Sequence, residues 1–550
     1  MTAHRRLLKA IHLYLNMSNR ERSSGHSASP DFRRRLFWAG LAASVLLAAA
    51  ALLYLRTPHR SSRGETGRLS IAGVEAGYVD SQLCATCHRT IWETYRCTGM
   101  GKSFARVRPG GLVEVQSKSG DYYHELSDQH YRTYENGGRY YQRRQQTGFR
   151  GAETNAVEKE LHFVIGSGNH VRSYLHRTPD GRIFELPLSW YAENGGLWRM
   201  TPGYDRPDHD NFRRQISGQC LFCHTGYPEI AKNSDRSGTP PIFPGAIPEG
   251  IDCQRCHGPG QAHVAAAQAT NGERADIQRA IVNPARLSPD RQLDLCMQCH
   301  LETTSFRLPS SLVRYNRGIF SFRPGEPPAD YVLHFDHPEG SGYDEKFEIA
   351  GAAYRLRISA CFLASPGSLK CTTCHNPHDI PRGAEAERHY TSARLKRHAA
   401  VASPLAAIPA HRSATGCVSC HMPQRLTDDV VHAAVTDHLV QRRPPSRDLL
   451  APVKERSQTE TTAYKGEVIP YYPPTAQDGE DEMYLAVAQV RQGANLEQGI
   501  PRLEKAIEKH RPKEGRFYFE MAEAYWKARL EEKAVVARET ALRLSPDFWP

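Results

Sequence analysis

The sequence has little that would suit a nucleic-acid-binding protein or a disordered chain. Its 71 Lys and Arg outnumber its 60 Asp and Glu, for a net charge of +11, but the basic residues are spread along the chain and form no single stripe. Charged residues make up 24% and aromatic residues 9%, as in ordinary globular proteins. We therefore exclude nucleic acid as a partner and expect 550 residues folded into several domains, with a core drawn from only 39% hydrophobic residues.

Long uncharged runs are also scarce, and only one segment has the length and apolar character of a transmembrane helix. Leu36–Leu55 carries no formal charge, and it reaches the length of about 20 residues that a helix needs to cross a bilayer core. Three arginines at 33–35 precede it and predict a cytoplasmic tail over residues 1–35. A signal peptide cleaved near Ala48 and Ala50 is the alternative, but the apolar run continues to Leu55. The sequence thus predicts an inner-membrane protein with one transmembrane helix at 36–55 and its bulk in the periplasm.

Fourteen cysteines in an exported protein would suggest disulfides, but twelve of them fall into one pattern, Cys-x-x-Cys-His. The six copies are Cys84/Cys87/His88, Cys220/Cys223/His224, Cys253/Cys256/His257, Cys296/Cys299/His300, Cys371/Cys374/His375 and Cys417/Cys420/His421. In this pattern the two thiols form thioethers with the haem vinyl groups, and the histidine becomes the proximal iron ligand. A zinc site built from paired cysteines would not explain the histidine after every copy. We predict six covalently attached haems c.

The second axial ligand decides the function of each haem. A second histidine gives an electron carrier, whereas an open iron face allows small-molecule chemistry. No Cys-x-x-Cys-Lys occurs, and fifteen histidines between residues 80 and 440 lie outside the motifs. Turns or loops beside them favour His170, His209, His263 and His378. His432 and His438 are the other two candidates; they lie six residues apart, so both cannot serve the same iron face. Met100 is an alternative ligand.

The rest of the chain is organised around the motifs. Residues 56–77 are predicted as a linker, 78–440 as the multihaem domain, and the Pro-rich segment 441–478 as a second linker. Alternating residues from about Val113 to Trp190, with a turn at Asn136-Gly137-Gly138, predict a small antiparallel sheet between the first two motifs. Two cysteines, Cys97 and Cys361, lie outside the motifs and could form a disulfide or stay as thiols.

The last segment, 479–550, changes character. Four amphipathic runs form two repeats in register, so that Tyr484 matches Tyr518 and Ala488 matches Ala522. Their period of about 34 residues is typical of tetratricopeptide repeats, and it predicts all-α helical hairpins. Two such repeats are few for a solenoid. We expect that they pack on the haem domain or that the chain is truncated.

Taken together, the chain resembles the multihaem cytochrome c superfamily, specifically the cytochromes fused to tetratricopeptide repeats. It is more distantly similar to the tetrahaem cytochrome of ammonia oxidisers and to hydroxylamine oxidoreductase. The resemblance lies in Cys253–His263, Cys371–His378, Cys417–Pro423 and Val430–His438, and it supports the six second ligands named above. It also marks Arg394–His398, where the family often has a further motif, as a lost haem site; an ordinary basic helix is the alternative.

The expected fold class is therefore α+β, a loop-rich multihaem cytochrome domain with a small antiparallel sheet, C-terminal helical hairpins and an N-terminal membrane helix. The expected function is electron transfer through mostly bis-histidine haems, with a redox partner protein docked through the C-terminal repeats. The alternative is an oxidoreductase that acts on hydroxylamine or nitrite at a five-coordinate haem. A redox-sensing scaffold is the third possibility, for which six haems are excessive.

Overall fold

The computed structural model describes most of the chain beyond residue 76. The described residues are 77–117, 120–231, 234, 241–269, 272–304, 308–397, 417–443, 445–455, 464–475, 479–491, 493 and 495–546. The predicted cytoplasmic tail, the predicted span Leu36–Leu55 and all of the first predicted linker except its last residue lie outside this set.

The fold is α+β, with small antiparallel sheets and several helices, but its predicted membrane anchor needs correction. Within the described residues, no helix is long and apolar enough to cross a membrane. The 15-residue helices Gly383–Arg397 and Leu496–His510 carry charges along their length and are shorter than the roughly 20 apolar residues that a bilayer requires. The predicted single N-terminal transmembrane helix is thus not supported: its span lies outside the described residues, and they contain no such helix.

A four-stranded antiparallel sheet follows the first motif. Its strands run in the order β2–β3–β4–β5. The first five strands of the chain are β1 (Phe104–Arg106), β2 (Gly120–His124), β3 (Gln129–Asn136), β4 (Arg139–Thr147) and β5 (Glu153–Glu160). Gly137 and Gly138 connect β3 to β4 with φ of +58° and +76°, which glycine adopts without steric cost and which a tight hairpin requires. The predicted turn is confirmed.

A second, six-stranded sheet is formed by β1, which precedes the first sheet in the chain, and by five strands that follow it. Besides β1 it contains β6 (Phe163–Ile165), β7 (Val171–Arg177), β8 (Ile183–Glu185), β9 (Leu188–Tyr191) and β10 (Leu197–Met200). Its path is β1–β6–β7–β9–β10, with β8 paired to β7. The predicted single sheet is thus two sheets. The predicted strand at Val113 is also wrong: Val113–Ser117 is a short helix, because the buried Glu114 carboxylate accepts hydrogen bonds from Arg172 at 3.0 Å and Tyr174 at 2.8 Å.

The cysteine-motif region is loop-rich, as expected, and its regular elements are short. Its helices are Gln82–Cys87, Arg89–Tyr95, Gly218–His224, Gln254–His257, Gln261–Gln268, Arg274–Arg279, Pro289–His300, Ala352–Arg357, Ala360–Leu363, Gly383–Arg397 and Cys417–His421. A two-stranded sheet pairs β13 (Gln424–Leu426) with β14 (Ala434–Thr436). Apart from Pro289–His300 and Gly383–Arg397, these helices have eight residues or fewer and gain little stability on their own, so the positions of most motifs depend on tertiary contacts.

Four longer helices end the chain. They are Gly479–Val490, Leu496–His510, Gly515–Lys527 and Glu531–Leu544, close to the four predicted runs. The tetratricopeptide assignment itself stays a prediction.

These helices do not stand apart from the rest of the fold. The strands β11 (Ser311–Val313), β12 (Val332–Asp336) and β15 (Ile469–Tyr472) form a sheet, and β15 comes from the predicted Pro-rich linker. Side chains of this sheet, among them Leu312 and Phe335, share one hydrophobic core with Tyr484 and Phe517 of the C-terminal helices. We expected either that the repeats pack on the preceding domain or that the chain is truncated. The structure shows that the C-terminal helices pack on the preceding domain.

Candidate functional site

Each Cys-x-x-Cys-His copy with described side chains lies on a short helical turn. In Gly218–His224 the Ser217 hydroxyl caps the helix by accepting from the backbone N–H of Cys220 at 3.3 Å. The fourth motif ends the helix Pro289–His300, and the fifth begins in a 3-10 turn at Cys371–Thr373. Residues three apart lie on one side of such a turn, so each pair of thiols is presented together with the histidine next to it.

The motif thiols lie close to thiols of other motifs. Three pairs of thiols from different copies interact with each other: Cys84 with Cys253, Cys223 with Cys299, and Cys296 with Cys371. The described cysteine side chains, including those of Cys97 and Cys361, form no disulfide. Burial raises the pKa of the Cys256 thiol to about 11, so it is protonated at neutral pH.

The second cysteines of the fifth and sixth motifs differ in their exposure. Cys374 is half-buried directly after the 3-10 turn, and its backbone carbonyl accepts a hydrogen bond from Nε2 of His389 at 2.9 Å. Cys420 is exposed on the helix Cys417–His421. A thiol must be accessible to react with a haem vinyl group, and both positions meet this condition. The structure does not confirm haem attachment at Cys374 or Cys420, which stays a prediction.

Three histidines predicted as second ligands stand opposite motif histidines. The ring centres of His88 and His263 are 6.3 Å apart with an interplanar angle of 16°. Those of His257 and His378 are 6.0 Å apart at 10°, and those of His375 and His438 are 6.2 Å apart at 34°. The structure therefore pairs each of these predicted ligands with one motif.

The separation of the facing rings has a simple interpretation. An imidazole nitrogen binds a transition metal at about 2.0 Å, and the ring centre lies about 1.1 Å behind that nitrogen. Two rings on opposite sides of one metal ion are thus about 6.2 Å apart from centre to centre. The three observed separations, 6.0–6.3 Å, agree with this value.

Backbone carbonyls fix the tautomer of several of these rings. The Nδ1–H of His257 donates to Val282 O at 2.9 Å, that of His263 to Ile277 O at 2.8 Å, and that of His438 to Thr436 O at 3.0 Å. In each ring the lone pair is left on Nε2, the arrangement typical of metal-binding histidines. Two further motif histidines, His224 and His421, donate from Nδ1 to Ser103 O and Gln441 O.

Burial keeps most of these imidazoles neutral. It lowers the pKa of His224, His257, His300, His375, His378 and His438, that of His375 to about 4. A neutral imidazole is the form that binds a metal. Among the described residues, no group of three or more His, Cys, Asp or Glu could hold a metal ion by itself. A pair of histidines suffices only where the remaining ligands come from elsewhere, as a porphyrin supplies four.

The other three predicted second ligands lie in different surroundings. His432 approaches Asp205, with 3.4 Å between Nε2 and Oδ2, and His124 approaches the other carboxylate oxygen at 3.2 Å. These two histidines hold the pKa of Asp205 far below its usual range. His209 is buried beside them, with Nε2 3.1 Å from Tyr131 Oη, and burial lowers its pKa to about 4. His209 and His432 stay predicted ligands.

His170 is the last of the six predicted second ligands. His170 is partly exposed, with Nδ1 3.4 Å from a carboxylate oxygen of Glu193. In the part of the chain that the structure describes, no second imidazole stands face to face with His224 or His300. The side chains of Arg394, Arg397 and Cys417, and the whole of His398, lie outside the described set, so the lost-site interpretation stays a prediction.

Sequence reasoning did not single out Asp205 or Arg255. Asp205 lies far along the chain from His124, and no local spacing signals their contact. Arg255 is an intervening residue of the third motif, a position that the haem pattern leaves free.

Comparisons of the chain with protein-family models, with curated proteins and with solved structures find no match.

Proposed function

We propose that this chain is a multihaem c-type cytochrome that carries six covalently attached haems and transfers electrons without transforming a substrate. The observation that carries the proposal is the set of three histidine pairs with ring centres 6.0–6.3 Å apart. In each pair one ring belongs to a Cys-x-x-Cys-His copy and the other to a different segment. We also propose, from the resemblance described above, that the chain belongs with the multihaem cytochromes fused to tetratricopeptide repeats.

In this proposal the chain has three tasks, and the bound haem supplies a one-electron redox couple. The twelve motif cysteines hold the six groups covalently. The motif histidines bind on one side, and His263, His378 and His438 bind on the other side at three motifs. Backbone carbonyls orient the rings at Nδ1, which limits the change in geometry when the electron count changes.

The paired histidines also interlock the motifs. His263 follows the third motif and faces His88 of the first, whereas His378 follows the fifth and faces His257 of the third. One segment therefore serves two neighbouring motifs at a time. Such sharing keeps the haems close together, as electron transfer requires.

The test replaces one second ligand and one matched histidine. His378→Ala should turn one low-spin haem high-spin, which electron paramagnetic resonance and absorption spectra of the oxidised protein detect. The control is His176→Ala, since His176 is also half-buried with a burial-lowered pKa but bonds the carbonyl of Glu160. An unchanged spectrum for His378→Ala would reject the assigned ligation, and an equal change in the control would show an indirect effect.

The second candidate is an oxidoreductase that acts on hydroxylamine or nitrite. It requires a haem with an open iron face, and His224 and His300 identify the motifs where it is best tested. The unmodified protein should then show high-spin haem that binds nitrite or hydroxylamine and turns it over. Uniformly low-spin haem would exclude this candidate.

The location and the partner belong to the proposal as well. We propose that the described part lies in the periplasm and that a redox partner docks on the C-terminal helices. Their outer surface carries exposed apolar residues, among them Trp526 and Val536. Fractionation of cells that make the haem-loaded protein tests the location.

A further inference from the structure

Arg255 is a buried arginine at the meeting point of three motifs. It stands between the cysteines of the third motif, and its side chain is almost wholly enclosed, with 2% exposed. A guanidinium has five N–H donors and is always charged, so burying it is costly unless the charge is paired.

The contacts of Arg255 reach the second and fourth motifs. Its Nη2 donates to the side-chain oxygen of Gln298 in the fourth motif at 3.3 Å, and the Gln298 amide donates back to Arg255 O at 3.2 Å. Its guanidinium carbon lies 3.9 Å from the ring centre of Phe222 in the second motif. It also interacts electrostatically with the thiol of Cys299. Three haem-attachment motifs thus share this one cation.

The described side chains pair this charge incompletely. Nη1 of Arg255 is buried and has no hydrogen-bond partner among them. The nearby carboxylate of Asp252 interacts with Arg255 through space, but one of its oxygens accepts from the backbone N–H of Gln254 at 2.8 Å. Arg355 shows the contrast, because its Nε and Nη2 donate to the two oxygens of Asp437 at 2.9 Å and 2.8 Å.

An incompletely paired charge in a low-dielectric interior acts on any redox group nearby. It favours the more negative, reduced state of a haem iron, and the interior screens it poorly. The thiols of Cys223 in the second motif and Cys299 in the fourth also interact with each other. Groups attached at these motifs would therefore all lie near Arg255.

We propose that the charge of Arg255 raises the reduction potentials of the haems at the second, third and fourth motifs. Without this charge the three potentials would be lower. The inference rests on the proposed function, since it requires haem at those motifs. Arg255 acts through its charge and is a tuning residue, not an iron ligand. The consequence is that electrons collect at the junction before they leave the protein.

The test is a spectroelectrochemical titration of the full, haem-loaded chain. Arg255→Gln should lower the potential of a subset of up to three haems and leave the others in place. We expect on the order of a tenfold change in the electron-binding equilibrium, which is about 59 mV for a one-electron couple. Arg255→Lys keeps the charge and should stay close to the unmodified protein. Asp252→Asn removes the opposing charge and should raise the potential of the same subset.

These variants separate charge from structural damage. A mere packing defect would not give shifts of opposite sign for Arg255→Gln and Asp252→Asn, nor rescue by lysine. Unchanged potentials in Arg255→Gln, or an equal shift of all six haems, would overturn the proposal while leaving the proposed function intact. If the unmodified protein carries no haem, the proposed function itself fails. Haem content and the absorption spectrum of each variant show whether it has folded.

Discussion

The C-terminal helices and the cysteine-motif region bury their characteristic side chains to different extents. In the helices, which are 12–15 residues long, Tyr484, Leu503, Phe517 and Ala522 are at most 1% exposed. In the motif region most helices have four to eight residues, apart from Pro289–His300 and Gly383–Arg397, and no described motif cysteine is as enclosed as the four side chains just named. The C-terminal helices are stabilised by a core that they share with β11 and β12. The motif region has smaller apolar clusters, and it presents thiols and imidazoles that these clusters do not enclose.

The difference indicates where each region gets its stability. The helices bury apolar area in a core that they share with β11 and β12, and apolar burial is the main favourable term in folding. Short helices are marginal without such burial. We therefore expect the motif region to depend on covalent attachment of haem, and the C-terminal core to depend on large apolar side chains.

The largest expected effect follows from preventing haem attachment. The chain made without a cytochrome c maturation system should lose the ordered motif region, because a group that binds only the folded state stabilises it. Cleavage of residues 78–440 by a protease should become faster by on the order of tenfold or more. The control is the same chain made with the maturation system. Equal protease resistance of the two forms would contradict the comparison.

The next effect concerns the shared core. Phe517→Ala should lower the free energy of unfolding by about 3–5 kcal/mol, the usual cost of removing a buried aromatic ring. Trp526→Ala, at a side chain 53% exposed on the same helix, should change it by no more than about 0.5 kcal/mol. Urea unfolding followed by circular dichroism and by haem absorbance measures both. Because the core includes β11 and β12, both probes should shift together; a shift confined to circular dichroism would show two independent units.

A smaller effect is expected from pH in the motif region. Burial, and then the nearby Glu302, raises the pKa of Asp429 to about 7, whereas an unfolded Asp titrates near about 3.9. The folded state therefore holds this proton more tightly, and its contribution to stability is complete below pH ~4 and lost as the pH rises through about 7. Thermal unfolding between pH 5 and 8 should show a decline that Asp429→Asn reduces. The same change at the exposed Asp448 should leave the decline as it was.

The smallest effect is expected in the C-terminal helices, where stability should fall as the pH falls, the opposite of the dependence expected at Asp429. Hydrogen bonds from Lys509 and then His510 lower the pKa of Glu482 to about 2. This contribution is present above the unfolded pKa and is lost as the pH falls through about 2. Because the pair is largely exposed, Glu482→Gln should cost less than about 1 kcal/mol at neutral pH. A larger loss of unfolding free energy in urea would contradict this, because it would mean that surface ion pairs contribute as much to the stability of these helices as buried apolar side chains do.

Local features of both regions could be predicted from the sequence. The four C-terminal helices follow from their periodicity, and the turn at Gly137-Gly138 follows from the conformations that only glycine adopts freely. The helical turn of each cysteine motif is also a property of a few adjacent residues. These features depend on neighbours in the chain, which the sequence shows directly.

Features that depend on distant residues were harder to predict. The sequence named His263, His378 and His438 but could not say which motif each one faces, because the two partners of each pair lie far apart along the chain. The helix at Val113 depends on a buried carboxylate bonded to β7, and β15 comes from a segment whose prolines predict a linker. The contacts of His209 and His432 near Asp205 have no local signal either.

The mass of the denatured protein tests the central claim most directly, because thioether bonds survive unfolding. Protein made with a cytochrome c maturation system should carry six haem additions, and the double variant Cys84→Ala/Cys87→Ala should carry five. An unmodified chain that carries no covalent haem, or any number of haems other than six, would contradict the account.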